Sequence, residues 1–370
     1  MIRVIHFVAT LGSPGGVQSL LKNYYERMDH EKVHFDFAVF DKDDHGFQHF
    51  FTEMGCNIFY VPPKKNGLKE HVDAIRKIFE DGHYDIVHTH QNFRGALTIW
   101  EAKRCGIPVR IVHSHRSNAP ESIKVKVLRY FITKWIKRIS TDWWACGHDA
   151  GIWMFGEKAV KSGKVHILNN AIDLSKYSYN EQVRNDVRKE FGFGDSLVIG
   201  NVARFTYQKN HHLLIDIFEK YHAHNSNSTL MLIGDGELEN NVKELVRSKQ
   251  IEDSVLFLGP RSDVPRLLQS MDLFALTSRF EGLPVVLVEA QCAGVPCVTS
   301  NNVTDEMAVT DLVSFVEKNA SINDWIKMIS FTLQKQRKTH DKELKIRGYD
   351  ISIEATKLED YYQGLINKIN

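Results

Sequence analysis

Residues 272–300 read DLFALTSRFEGLPVVLVEAQCAGVPCVTS. An apolar run at 272–277 ends in a polar loop. A Gly-Leu-Pro turn then opens an apolar stretch of helical length at 285–293, and a second β-branched run follows at 296–300. Two strands joined through a helix cannot form a tight hairpin; they pair parallel, with the helix covering one face of the sheet.

The same alternation extends in both directions. Strands are expected at 196–202 (SLVIGNV), 229–234 (TLMLIG) and 255–259 (VLFLG), with helices at 212–222, 237–249 and 264–270. Towards the N-terminus, strands are expected at 3–9, 33–40, 57–61, 85–89 and 109–113, with a helix at 17–28. The polar, turn-rich stretch LNNAIDLSKYSYNEQ (168–182) reads as a linker. The expectation is α/β: two Rossmann-like, doubly wound domains, 1–175 and 176–350, facing across a cleft. A final helix, 351–370, has the length to return to the first domain. In such sheets ligands bind beyond the carboxyl ends of the strands.

Composition fits this. The chain has 370 residues, 43% hydrophobic and 25% charged, enough for two ordinary cores. The net charge of +1 argues against a nucleic-acid binder. Five scattered cysteines without a CxxC argue against a disulfide framework or a zinc–thiolate site. No run of about 18 apolar residues is present and the N-terminus does not read as a signal peptide, so a cytoplasmic protein is expected.

Chemistry-bearing residues gather where strands end. Glu281 stands in the loop after strand 272–277, and Glu289 about one turn into the next helix. Between them Gly282, Leu283, Pro284 and Val285 make the turn; proline suits a helix start, and backbone N–H groups there favour an anion. Arg204 and Lys209, in VARFTYQKN, follow a strand and precede a helix, where a guanidinium fork and a compact ammonium can hold a diphosphate. Gly234 and Gly236 flank Asp235 at another strand end, either for close approach of a ligand or as a plain turn. Any one of these is compatible with a solvated loop; the ordered set is specific.

In that order the motifs resemble the retaining glycosyltransferases of the GT-B fold, family 4 (glycosyltransferase group 1), which build capsules, exopolysaccharides and glycolipids. The resemblance spans essentially the whole chain: the Gly15-Gly16-Val17 turn, ACGHDAGIWMFG, ILNNAIDLSKY, the Arg204/Lys209 loop, GDGELE, LGPRSDV and the Glu281–Glu289 block. It implies that Arg204 and Lys209 bind the donor diphosphate and stabilise the leaving charge. It further implies that Glu281 contacts the donor sugar, that Glu289 holds the ribose hydroxyls, and that residues 282–285 offer N–H groups to the phosphates. Arg261 would lie near the base, and Gly15, Gly16 and Gly234 would also line the donor. A mechanistic histidine is implied at His115, with His113 as the fallback. The implied donor is a UDP-sugar carrying a hexose, the implied acceptor a saccharide or lipid-linked saccharide, and no cofactor or metal is required. Asn169-Asn170-Ala171 stands where the family usually has asparagine-glycine.

Other features remain outside this set. His88/His90 and His113/His115 form two HxH pairs at strand ends, without an evident third ligand in the sequence. Asp41 and Asp43 form a D-x-D, read as a solvated turn. Residues 123–138 (IKVKVLRYFITKWIKR) carry six basic and no acidic residues, with Val127, Phe131, Trp135 and Ile139 on one helical face. This helix either packs that face into the core or lies peripherally on an anionic membrane. Two other readings of the whole chain are a sugar-nucleotide epimerase of the same fold and a non-catalytic partner of a transferase; a complete Arg204/Lys209/Glu281/Glu289 set speaks against the second.

Overall fold

The computed structural model describes residues 1–12, 15–41, 46–115 and 121–369. The chain forms two compact units: Met1–Ile172 with Asp350–Asn370, and Asp173–Tyr349.

The first unit holds a parallel sheet of seven strands: β1 (Ile2–Val8), β2 (Val33–Val39), β3 (Ile58–Tyr60), β4 (Ile86–Thr89), β5 (Val109–Ser114), β6 (Asp142–Ala145) and β7 (Val165–Ile167). Their spatial order is β3-β2-β1-β4-β5-β6-β7. The second holds six: β8 (Leu197–Val202), β9 (Ser228–Ile233), β10 (Val255–Phe257), β11 (Leu273–Leu276), β12 (Cys297–Ser300) and β13 (Val313–Val316), ordered β10-β9-β8-β11-β12-β13. Both are doubly wound. The chain builds outward from β1 or β8 in one direction, then restarts on its other side with β4 or β11. That reversal opens a crevice at the strands' carboxyl ends, between β1 and β4 and between β8 and β11.

Strands covered by helices on both faces read as continuous apolar runs rather than alternating ones, and β11 (LFAL) does so, while β1 (IRVIHFV) is interrupted by Arg3 and His6. The first core joins β1, β2, β4 and β5 to the helix Gly16–Tyr25 and to one face of the helix Ile351–Asn367, through Ile351, Ala355, Leu358, Tyr362 and Leu365. That helix enters after a parallel bridge between Ile172 and Asp350. The second core gathers Ile199, Leu230, Leu273 and Val298 from the strands, with Leu214, Phe218, Val242 and Trp325 from helices.

The residues expected to link the domains are themselves ordered: Asp173 caps a short helix Leu174–Tyr177, and Asn180 caps the helix Glu181–Glu190. The basic segment forms the helix Ile123–Ile139, started by Ser122. Its buried stripe is Thr133, Ile136 and Ile139, not the face running from Val127 through Phe131. Val127 and Phe131 are 51% and 63% exposed, beside exposed Ile123, Leu128 and Tyr130, while Trp135 packs on Trp100. The face is rotated because Arg129 and Lys137 turn inward, donating to the carbonyls of Trp153 and Phe155.

Candidate functional site

In the second unit the loop after β8 and the loop after β11 meet at the switch point. The glycines after β9 set the first of them. Gly234 and Gly236 have φ of 134° and 149°, and a Cβ on them would lie 2.3 Å from the Ala203 carbonyl oxygen and 2.5 Å from that of Phe205. Phe205 N–H donates to the Asp235 carbonyl at 2.7 Å. The close approach these glycines permit is therefore to the backbone of Ala203 and Phe205, on either side of Arg204, and Gly234 shapes the site through that loop.

The two loops are stitched together further along. Asn210 sits in the left-handed region at φ 56° and donates from Nδ2 to the Thr277 carbonyl, while the Thr277 hydroxyl donates to the Asn210 carbonyl at 3.1 Å. Arg279 N–H donates to the Gln208 carbonyl at 2.8 Å. This brings Lys209 to Glu281: Nζ lies 2.6 Å from Oε1. The Ser278 hydroxyl donates to the same oxygen at 2.6 Å, and Gln208 Nε2 to Oε2 at 3.1 Å. Glu281 is 7% exposed, so its charge is held by an ammonium and two neutral donors rather than by water. Arg204, one strand-end away, is exposed, and its guanidinium has no ion-pair or hydrogen-bond partner among the described residues. The site thus keeps one cation committed and one free for an anion.

Gly282, Leu283 and Pro284 lead into the helix Val285–Cys292, whose N-terminus has no side-chain cap and no acid in its first turn. An anion would meet positive partial charge there without competition. Glu289, on the same helix, accepts from the Tyr177 hydroxyl at 3.0 Å. Burial pushes its carboxyl up to about 7, against the lowering effect of that hydrogen bond. Arg261 forms a two-point pair with Asp263 at 2.8 Å on each arm, on the surface of the same unit. Gln208, Ser278 and Tyr177 escaped the sequence reading. Ser278, three residues before Glu281, carried a weak signal of spacing; Tyr177, in the linker, carried none.

In the first unit Gly15 precedes the helix Gly16–Tyr25. Its φ of −160° is ordinary extended backbone, so space rather than strain matters: a Cβ would meet Gln18 Oε1 at 2.7 Å. Asn170 Nδ2 lies 3.5 Å from the Gly16 carbonyl, and Asn170 Oδ1 is buried without a partner. Asn170 is thus held against this turn. His115 joins a cluster. His6 Nδ1 lies 2.9 Å from His90 Nε2, His90 Nδ1 lies 2.8 Å from His115 Nε2, and His88 Nε2 lies 3.1 Å from His113 Nδ1. The two HxH pairs, which looked isolated from a third ligand, are joined to each other and to His6 of β1. Asp41 is exposed; Asp43 lies outside the described residues.

Several solved glycosyltransferases share this architecture. HepE of Anabaena, solved in complex with UDP and glucose, superposes with a TM-score of 0.73 at 18% identity, covering 100% of this chain and 98% of that one. A glycosyltransferase of Rickettsia africae gives 0.78 at 14% identity, covering 99% and 98%. The fold is that of the GT-B glycosyltransferases. Residues 183–349 match the family Glycosyl transferases group 1, and residues 14–176 match Glycosyltransferase Family 4. Over 338 residues the chain is 33% identical to EpsF of Bacillus subtilis strain 168, covering 89% of this chain and 87% of EpsF. It is 27% identical, over 99% and 97% of the two chains, to the UDP-Gal:alpha-D-GlcNAc-diphosphoundecaprenol alpha-1,3-galactosyltransferase of Escherichia coli. The chain belongs to the group 1, family 4 glycosyltransferases.

Proposed function

We propose that the protein is a retaining transferase that moves a hexose-type sugar from a UDP-sugar to a saccharide or lipid-linked saccharide, in the assembly of a surface polysaccharide such as a capsule or exopolysaccharide. The observation that carries the proposal is the meeting of Lys209 and Glu281 at the β8/β11 switch point, with unpaired Arg204 and an uncapped helix start beside them. As the anomeric bond breaks, negative charge grows on the diphosphate and positive charge on the sugar. Arg204, Lys209 and the helix start at Val285 stabilise the first as preorganised dipoles and charges. Glu281, fixed by Ser278 and Gln208, orients the sugar. Glu289 receives the ribose hydroxyls. His115 serves the acceptor side, Gly15 and Gly16 leave room for a close approach, and Arg261 lies towards the base. The relative from Escherichia coli, named for a UDP-Gal donor and a diphosphoundecaprenol acceptor, supports both halves of the reading.

The test is incubation of the purified protein with a panel of nucleotide sugars and lipid-linked acceptors, with the anomeric configuration of the product read by NMR. A transferred sugar of unchanged configuration is expected, and turnover should persist in excess EDTA because cations of the chain itself face the diphosphate. Product of inverted configuration, or turnover strictly dependent on Mg²⁺ or Mn²⁺, would overturn the corresponding part.

Glu289 makes the reading pH-dependent. Its folded pKa is raised, so at pH 6 the carboxyl is mostly protonated, and its ionised form, the better acceptor for two hydroxyls, appears as pH rises through about 7. Nucleotide affinity should therefore rise between about pH 6 and pH 8, by at most about tenfold per unit from this group. The phosphate titrates in the same range, so the quantity to measure by calorimetry is the difference between wild type and Glu289→Gln at each pH. A constant difference would remove Glu289 from the ribose.

Acceptor access points to the helix Ile123–Ile139. Lys124, Lys126, Lys134 and Arg138 are exposed around Ile123, Val127, Leu128 and Phe131, an apolar patch ringed by positive charge. Among the described residues no helix is long and apolar enough to cross a membrane. This patch suits peripheral attachment to an anionic leaflet, each lysine contributing on the order of 1 kcal/mol at low salt. In liposome co-sedimentation, Lys124→Glu/Lys126→Glu/Lys134→Glu should lose most binding to anionic vesicles, and Phe131→Ala part of it. These positions leave Arg129 and Lys137, which hold the helix in place, untouched. Equal sedimentation of wild type and triple variant would make the helix ordinary surface.

A further inference from the structure

We propose a second site in the first unit: a divalent first-row transition ion held by His90, His113 and His115 at the carboxyl ends of β4 and β5. One ring nitrogen from each of these residues lies within 4.8 Å of the others.

The strands put them there. An x in each HxH places both histidines of a pair on one face of its strand, and β4 and β5 are hydrogen-bonded neighbours. β1, on the other side of β4, sets His6 opposite His88. Five imidazoles therefore line one face of three adjacent strands. Imidazole is a borderline ligand suited to Zn²⁺, Ni²⁺, Cu²⁺ and Co²⁺, and three of them with an open fourth position are an ordinary coordination set.

The hydrogen bonds sort ligands from supports. His113 spends Nδ1 on His88, and its Nε2 is buried with no hydrogen-bond partner among the described residues. That orphaned nitrogen, on a fully buried ring, is the one left to ligate. Behind it His88 continues to the Tyr362 hydroxyl at 2.9 Å from Nδ1. His90 spends Nε2 on His6, leaving Nδ1 towards His115. His115 is anchored by its backbone N–H, which donates to Asn92 Oδ1 at 2.9 Å. Two of the three ligands thus have their second nitrogen already fixed by an outer partner, the arrangement that sets tautomer and ring angle at metal centres.

Geometry and protonation both permit the ion. Three nitrogens at about 2.0–2.1 Å from a tetrahedral ion stand roughly 3.3 Å apart. The His90–His115 separation of 2.8 Å has to open by about 0.5 Å, and the pairs made with His113, within 4.8 Å, have to close by at most about 1.5 Å. His90 and His113 are buried, which favours the neutral imidazole that ligates. Binding requires only that His115 carry its hydrogen on Nδ1. The alternative triad, His6, His88 and His90, is buried throughout, and both nitrogens of His88 are engaged. His115 is half-exposed and gives the first triad its access to solvent.

The experiment uses untagged, chelator-treated full-length protein titrated with Co²⁺, then Zn²⁺. Expected are one Co²⁺ per chain with the strong visible absorption of a four-coordinate ion, displacement by Zn²⁺, and a higher Tm with Zn²⁺. His113→Gln and His115→Gln should each weaken binding by more than about 100-fold, since even loss of an outer partner costs about 10- to 100-fold. His88→Gln, a positioning variant, should fall in that lower range. Circular dichroism checks folding; His115→Gln, at the half-exposed end, decides the matter if His113→Gln does not fold. Wild type that shows no such absorption at micromolar Co²⁺, or an unaltered spectrum in His115→Gln, overturns the site and leaves the five histidines a hydrogen-bonded ladder.

Discussion

Arg204→Ala and Lys209→Ala are each expected to lower kcat/KM by about two to three orders of magnitude, the scale of removing one preorganised charge from a transition state. The two variants differ in what they disturb. Arg204 is exposed and its side chain has no partner among the described residues, so its removal should leave the resting fold as it is, and any lost rate belongs to the reaction. Lys209 also neutralises Glu281, which is 7% exposed. Its loss leaves that carboxylate to Ser278 and Gln208 alone, so some loss of stability accompanies the lost rate. Thermal melting beside steady-state kinetics separates the two. Unchanged Tm with collapsed turnover is expected for Arg204→Ala, and a lowered Tm in addition for Lys209→Ala. Near-wild-type turnover in both would sink the diphosphate assignment.

Glu281→Ala and Glu289→Ala should divide cleanly between turnover and binding. Glu281 has both oxygens fixed and sits at the strand end, where it can respond to charge at the reacting carbon; its removal should cut kcat by roughly 100-fold with little change in affinity for free nucleotide. Glu289 stands on a helix with one oxygen held by Tyr177 and answers to the ribose. Hydrogen bonds to a charged group are worth about 1.5–3 kcal/mol, so Glu289→Ala should weaken nucleotide binding by about 10- to 100-fold. Calorimetry with the free nucleotide decides: if Glu281→Ala loses the affinity and Glu289→Ala keeps it, the two roles are exchanged.

Much of this was legible in the sequence, for identifiable reasons. Strands such as SLVIGNV and TLMLIG, covered on both faces, carry unbroken apolar runs (Leu197–Gly200, Leu230–Gly234) flanked by loops, so period and length mark them. β6, β7 and β13 were not marked. β6 is two tryptophans between Asp142 and Ala145, β7 is three residues, and β13 interrupts its valines with serine; too few residues carry the pattern. Chain order showed that Lys209 and Glu281 both follow strands. It could not show that they touch, since they stand 72 positions apart and only the position of β8 beside β11 brings their loops together. The histidines show the same limit: each HxH was visible, but the ladder exists only because β1, β4 and β5 are adjacent. Whether the face of Val127 and Phe131 on the helix Ile123–Ile139 meets the core or stays outside was open in the sequence, because hydrophobicity alone ignores Arg129 and Lys137, whose inward hydrogen bonds fix the rotation.

The bridge between Ile172 and Asp350 has a consequence for synthesis. In sequence the second unit is one uninterrupted segment inserted between two residues of the first, Ile172 and Asp350, that touch. As the chain emerges from the ribosome, the second unit has all of its strands before the helix Ile351–Asn367 exists, and can close on its own. The first unit, made earlier, has to wait. Until that helix arrives, Trp144, Phe35 and His88 lack Tyr362, which packs against all three, and the groove that Tyr362 fills is exposed apolar surface. The segment translated first is therefore completed last.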